Sequence, residues 1–182
     1  MGKTKTTGFI LCALFAALLC VGAWLKIPTA VPVTLQTLFV MLSGMLLGAK
    51  RGAIACSVYL AVGLAGLPVF TKGGGILYLF EPTFGFLLGF PICAFIVGFV
   101  AEKKKQLSFW NLFLSGVFGL VIIYAVGFLY FCLVKNLYFG EHAAVMVWIQ
   151  SAVLVCMPVD LVSSVVCALL TKRIRPLILK YV

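Results

Sequence analysis

The sequence predicts an all-α integral membrane protein, six transmembrane helices in a single compact bundle with both termini cytoplasmic. Three observations carry this. Of 182 residues, 64% are hydrophobic and 10% charged, with a mean hydropathy of +1.24; a water-soluble domain would have to expose much of that apolar surface. The apolar residues form continuous runs rather than alternating, which suits helices and not a transmembrane β-barrel. The basic residues fall in short clusters between the runs, the pattern that sets membrane topology.

Six apolar runs can be drawn, near 8–25, 35–49, 52–67, 83–101, 108–134 and 145–171. With both termini inside, eleven basic residues face the cytoplasm: Lys3, Lys5, Lys50, Arg51, Lys103, Lys104, Lys105, Lys172, Arg173, Arg175 and Lys180. Only Lys26, Lys72 and Lys135 face outward. That bias supports six spans, since five or seven would spoil the alternation. The first run has the basic start and apolar core of a signal peptide but no convincing cleavage site before Lys26, so an uncleaved helix is expected. "MGKTKT" also matches the loose myristoylation pattern, which is short enough to occur by chance. In the first run Ala13 and Ala17 share a face, and small residues at that spacing admit close approach of another helix; spacing alone leaves open a bundle neighbour or a partner. The second and third runs are short and meet at "GAKRGA". The fifth and sixth are long enough to tilt or protrude. No linker, repeat or soluble stretch divides residues 1–182, so one membrane-embedded domain is expected.

Several function classes are disfavoured. A net charge of +10 does not imply nucleic acid, because the cations form no continuous face. Seven cysteines are scattered through the apolar runs without a CxxC pair and are expected to pack as small hydrophobes. His142 has no metal partner nearby, and with Glu141 it is expected at the outer interface. "TKGGGILYL" lacks the order of a phosphate-binding loop, and HExxH and GxSxG are absent. An enzyme is not expected. A channel would need polar residues along one path, whereas here they gather at the outer side and at one notch.

Two outer connections stand out. In "KIPTAVPVTLQ" two prolines stiffen the chain and put Thr34 and Gln36 at the mouth of the second helix. "GLPVFTKGGGILYLFEPTFGF" carries Lys72, then Gly73, Gly74 and Gly75, and the aromatics Phe70, Tyr78, Phe80, Phe84 and Phe86. A loop this apolar is expected to fold back over the bundle, so that outer loops cap a ligand pocket. The last run contains "CMPVDLVSS". An ionised carboxylate at that depth needs a partner, because burying one costs several kcal/mol. Pro158 removes a backbone donor and loosens the helix nearby. Ser163 lies one turn after Asp160 on roughly the same face. Asp160 and Ser163 thus form a polar notch in an apolar wall, suited to contacting a substrate.

The stretch "VPVTLQTLFVMLSGMLLGAKRGAIACSVYLAVGLAGLPVF", the glycine run, "PTFGFLLGF" and "MPVDLV" resemble, in order, the BioY family. Its members are biotin-binding subunits (S components) of energy-coupling-factor transporters. The resemblance covers about 30–170 and is densest between Val31 and Phe90. It implies a biotin pocket near the outer face, built here from Asp160, Ser163, Gln36, Thr34, Lys72, Gly73, Gly74, Tyr78, Thr83, Gly85 and Phe86. It also implies uptake in a bacterial cytoplasmic membrane with a transmembrane coupling subunit and two cytoplasmic ATPases. Ala13 and Ala17 resemble the surface used against the coupling subunit. No cofactor is implied beyond biotin as transported ligand. The chain departs from the family in places. Ser163 stands where a lysine is usual, and the GPTGGY segment reads Glu81-Pro82-Thr83-Phe84-Gly85-Phe86. The departures keep a biotin precursor or another vitamin open as ligand. They leave two expectations for Asp160: Lys72 reaches the pocket in the missing lysine's place, or Asp160 is protonated while the pocket is empty.

Overall fold

Apolar runs in a lipid-like setting fold as helices because each backbone donor and acceptor is then paired within its own segment. In a computed structural model of the chain, described over residues 2–28, 32–103, 108–135 and 155–178, the described residues form six α-helices. These are α1 (Gly2–Trp24), α2 (Gln36–Leu47), α3 (Ala49–Leu64), α4 (Phe84–Lys103), α5 (Phe109–Val134) and α6 (Met157–Ile178). Three of them, over Thr6–Trp24, Phe84–Lys103 and Phe109–Val134, are long and apolar enough to cross a membrane. Helices α2 to α5 agree with the apolar runs to within about three residues at each end, whereas α1 begins at Gly2, before the expected start near 8. The last departs further: α6 begins at Met157 and runs to Ile178, past Lys172, Arg173 and Arg175. The expected start near 145, like Glu141 and His142, lies outside the described residues. Pro158 therefore falls in the first turn of α6 as bounded, preceded by a widened helical turn at 155–156, a geometry that tolerates the missing donor.

Helices α2 and α3 form a tight antiparallel pair. Gly48 joins them with φ +88°, a conformation open to a residue without Cβ. Gln36 at the start of α2 is consequently level with Tyr59 near the end of α3. The pair presses onto α4 almost backbone to backbone. A Cβ at Gly44 would lie 2.2 Å from the Ala94 carbonyl oxygen, and one at Gly98 would lie 2.5 Å from the Ala49 nitrogen. Glycine here buys contact area that larger residues would forbid. Helix α4 thus sits centrally, packed on α2, α3 and α5, with α6 closing against α2 and α5.

At one end of the bundle three helix termini are tied by charge. The Ala49 N–H donates to Glu102 Oε1 at 3.2 Å, filling an unpaired donor at the start of α3. Buried Arg175 donates to the Ala101 carbonyl. At the opposite end lie two connections. One is a short hairpin of β1 (Lys26–Ile27) and β2 (Val33–Thr34), antiparallel with Lys26 opposite Thr34. The other is the segment between α3 and α4, which holds a 3-10 helix over Ile76–Phe80.

The outward faces are apolar: Leu114, Phe118, Val121 and Leu129 of α5 and Ile92, Phe95 and Phe99 of α4 are exposed. So broad an apolar surface fits lipid rather than water. On α1, Cys12, Phe15, Ala16, Leu19 and Ala23 pack inward, whereas Ala13 and Ala17 are exposed. All seven cysteines are free thiols.

Gly44→Val should lower the thermal midpoint in detergent, because the clash is with backbone that has no rotamer to change. Overpacking of this kind costs about 1–3 kcal/mol. A midpoint equal to the wild type would show that α2 and α4 are not in this contact.

Candidate ligand-binding site

The segment between α3 and α4 is a folded lid. Phe70 and Gly73 exchange backbone hydrogen bonds at 2.8 and 3.2 Å, a turn that Gly73 permits with φ +119°. The turn drives Phe70 into the bundle, where it is 2% exposed. Its ring fills the space over Gly63, where any Cβ would come within 2.0 Å of the Phe70 Cζ. Tyr59 and Tyr78 flank the ring at centroid distances of 5.4 and 4.6 Å, and Phe84 and Tyr130 extend the cluster. Polar ties fix it further. The Tyr59 hydroxyl donates to the Val69 carbonyl at 3.1 Å, the Tyr130 hydroxyl to the Leu79 carbonyl, and the hydroxyls of Thr71 and Tyr78 pair at 2.9 Å. Burial pushes the Tyr78 hydroxyl above its ordinary range, so it remains neutral. The hairpin is latched to the lid, with Lys26 donating to the Thr71 carbonyl and the Trp24 indole to the Pro68 carbonyl at 3.4 Å.

Beneath the lid is a cavity enclosing about 550 Å³ of free space, open solvent at its mouth included. Its apolar wall is Phe86, Leu87 and Phe90 of α4 with Ile123 of α5. Its polar groups come from elsewhere: Thr34, Gln36 and Thr37 at the start of α2, Thr71 and Thr83 from the lid, Tyr124 from α5, and Cys156 and Asp160. Pro32 and Val33 of the hairpin complete the rim.

Asp160 is 7% exposed and, among the described residues, supplies the cavity's one carboxylate. The Tyr124 hydroxyl donates to its Oδ2 at 2.7 Å, and Thr37 of α2 lines the same cavity. The Phe86 ring meets Tyr124 edge to face at 5.8 Å and 88°, which fixes the phenol's direction. Thr83 Oγ1 is buried without a hydrogen-bond partner; the Tyr78 hydroxyl is close but outside bonding geometry. An orphaned buried hydroxyl facing a cavity costs about 1–3 kcal/mol until something pairs with it, so it invites a polar ligand atom.

The residues picked out from the sequence divide into two groups. Asp160, Gln36, Thr34, Thr83 and Phe86 line the cavity. Gln36 is also held, its Nε2 donating to the Tyr59 hydroxyl at 2.7 Å. Tyr78, Gly73, Gly74 and Gly85 do not line it: Tyr78 packs under Phe70, Gly73 makes the lid turn, Gly74 sits against the Leu67 carbonyl and Gly85 against Tyr130. Ser163 is not in the lining either, and its hydroxyl donates back to the Val159 carbonyl at 3.0 Å. Lys72 lies on the outside of the lid, half-exposed, its ammonium 2.8 Å from Glu81 Oε2. Tyr124, Thr37 and Thr71 were not singled out from the sequence. A hydroxyl in a charge-free helix was the available signal for Tyr124, and adjacency to Gln36 for Thr37.

Comparison with known proteins places this geometry. The model of the BioY family matches residues 1–180. The chain belongs to the BioY family. Similar BioY proteins include the biotin transporter BioY of Thermotoga maritima, 43% identical, with 90% of this chain and 93% of that one aligned. The probable biotin transporter BioY of Lysinibacillus sphaericus is 38% identical over 94% of this chain and 88% of its own length. That of Rhodobacter capsulatus is 40% identical over 90% of each. The fold matches a crystal structure of the S-component for biotin from an ECF-type ABC transporter, with a TM-score of 0.81 and 25% identity over 97% of this chain and 94% of that one.

Removing the lid's plug tests its role. Phe70→Ala should cost about 3–5 kcal/mol, as for other buried Phe truncations, and should open residues 65–83 to protease in detergent. Retained stability with a resistant loop would contradict the plug.

Proposed function

We propose that this BioY chain is the substrate-capture subunit (S component) of an ATP-driven energy-coupling-factor transporter, binding biotin at the outer face of a bacterial cytoplasmic membrane. It is a transporter subunit and not an enzyme, as its family relatives indicate. The observation that carries the reading is the Asp160 carboxylate, held by Tyr124 inside an otherwise largely apolar cavity. Biotin's ureido ring offers two N–H donors and a carbonyl acceptor on an apolar bicycle. A buried carboxylate accepts N–H groups strongly, because water does not compete. Thr83 is suited to donate to the carbonyl, and Phe86, Phe90 and Ile123 to enclose the ring and alkyl tail. Lys26, latched to the rim residue Thr71, offers a positive charge for the tail carboxylate. Tyr78, Gly73, Gly74 and Gly85 act one layer out, by holding the lid and α4 in place.

The chain crosses the membrane six times with both termini inside. Supporting this are the three long apolar helices and the clustering of Lys50, Arg51, Lys103, Lys172 and Arg173 at the bundle end away from the lid. The exposed face with Ala13 and Ala17 is where a transmembrane coupling subunit packs, and two cytoplasmic ATPases act through that subunit.

The purified chain alone should bind labelled biotin. Asp160→Asn should weaken it about 10- to 100-fold, since a hydrogen bond to a charged group is worth about 1.5–3 kcal/mol. Lys72→Ala should change affinity less than about threefold, because an exposed ion pair contributes about 0–1 kcal/mol. No binding by the wild type, or equal binding by Asp160→Asn, would overturn the assignment.

A further inference from the structure

Among the described residues no cation pairs with Asp160: the ion pair present joins Lys72 and Glu81 on the outside of the lid. Ser163, one turn along α6, turns its hydroxyl back to Val159. Yet the carboxyl group is 7% exposed, and at that burial it needs a hydrogen-bond partner. The group that meets it is Tyr124, from a different helix, at 2.7 Å.

We infer that Tyr124 is a positioning residue of the ligand site, a neutral donor that aims the Asp160 carboxyl group into the cavity; the inference rests on the biotin-binding reading. The geometry has the needed parts. A carboxylate has about four acceptor directions, and Tyr124 takes one on Oδ2, leaving acceptor capacity for a ligand's N–H groups. The phenol is rigid beyond its two torsions, and Phe86 stands edge-on against it. Phe86 and Tyr124 both line the cavity, so the wall that holds the ligand also aims the hydroxyl that orients the carboxylate. Ligand recognition is then coupled across α4, α5 and α6. A neutral partner has a further consequence. A lysine would neutralise the carboxylate's charge and bring donors of its own; tyrosine fixes its direction and leaves it as an acceptor for the ligand.

The test is a double-mutant cycle in the full chain, read by labelled-biotin affinity, with Tyr124→Phe and Asp160→Asn alone and together. Tyr124→Phe should weaken binding about tenfold, yet less than threefold when Asp160 is already Asn. The carboxyl infrared band assigned by the wild-type minus Asp160→Asn difference should shift in ligand-free Tyr124→Phe. A phenylalanine that merely disturbed packing would weaken both backgrounds equally and leave that band in place, and either result would overturn the inference. So would unchanged affinity in Tyr124→Phe. If the wild type itself fails to bind biotin, the functional reading falls instead, and the two failures are distinguishable.

Discussion

A carboxyl group surrounded by apolar helices constrains everything near it. It must be hydrogen-bonded, and the partner in place is the hydroxyl of Tyr124. Asp160 on α6 is met by Tyr124 of α5, so these two helices are held in the register that brings the groups together, with Thr37 of α2 lining the same cavity. The cavity exists on the remaining side of that cluster. Its walls are mostly aromatic and aliphatic, so the carboxylate, the orphaned Thr83 hydroxyl and the few other polar side chains in the lining are the features a ligand can read.

The lid solves a different difficulty. A polar loop would leave the cavity open, and a regular helix could not turn sharply enough to cover it. Glycines at 73 and 75 take positive φ and send Phe70 inward, where a cluster of rings gives the loop its own small core. The Lys26 and Trp24 bonds to lid carbonyls then couple both connections at the mouth. The end of α1 and the start of the hairpin are thus tied directly to the segment that covers the cavity.

Much of this was legible in the sequence. Continuous apolar runs gave the helices, because lipid-facing and core-facing positions are both hydrophobic and leave no other reading. Asp160 was legible by its isolation. The partners of Asp160 were not. Spacing puts Ser163 on Asp160's side of the helix, but a serine hydroxyl in a helix readily bonds the carbonyl four residues back, and this one does. Lys72 looked available because its loop was expected to fold back over the pocket, but the turn between Phe70 and Gly73 brings it beside Glu81, nine residues on. Tyr124 was hidden because a tyrosine in an apolar helix is more often packing than chemistry, and only its approach from another helix gives it a role. The outer part of the last run, 145–154, lies outside the described residues.

The central claim is that a buried carboxylate reads the N–H groups of a ureido ring. The most direct measurement compares the affinity of the wild-type chain for biotin and for biotin methylated on a ureido nitrogen. Methylation removes one donor and leaves the apolar body and tail unchanged. The account predicts at least about tenfold weaker binding of the methylated compound, from the loss of a hydrogen bond to a charged group. Equal affinity for the two would contradict it.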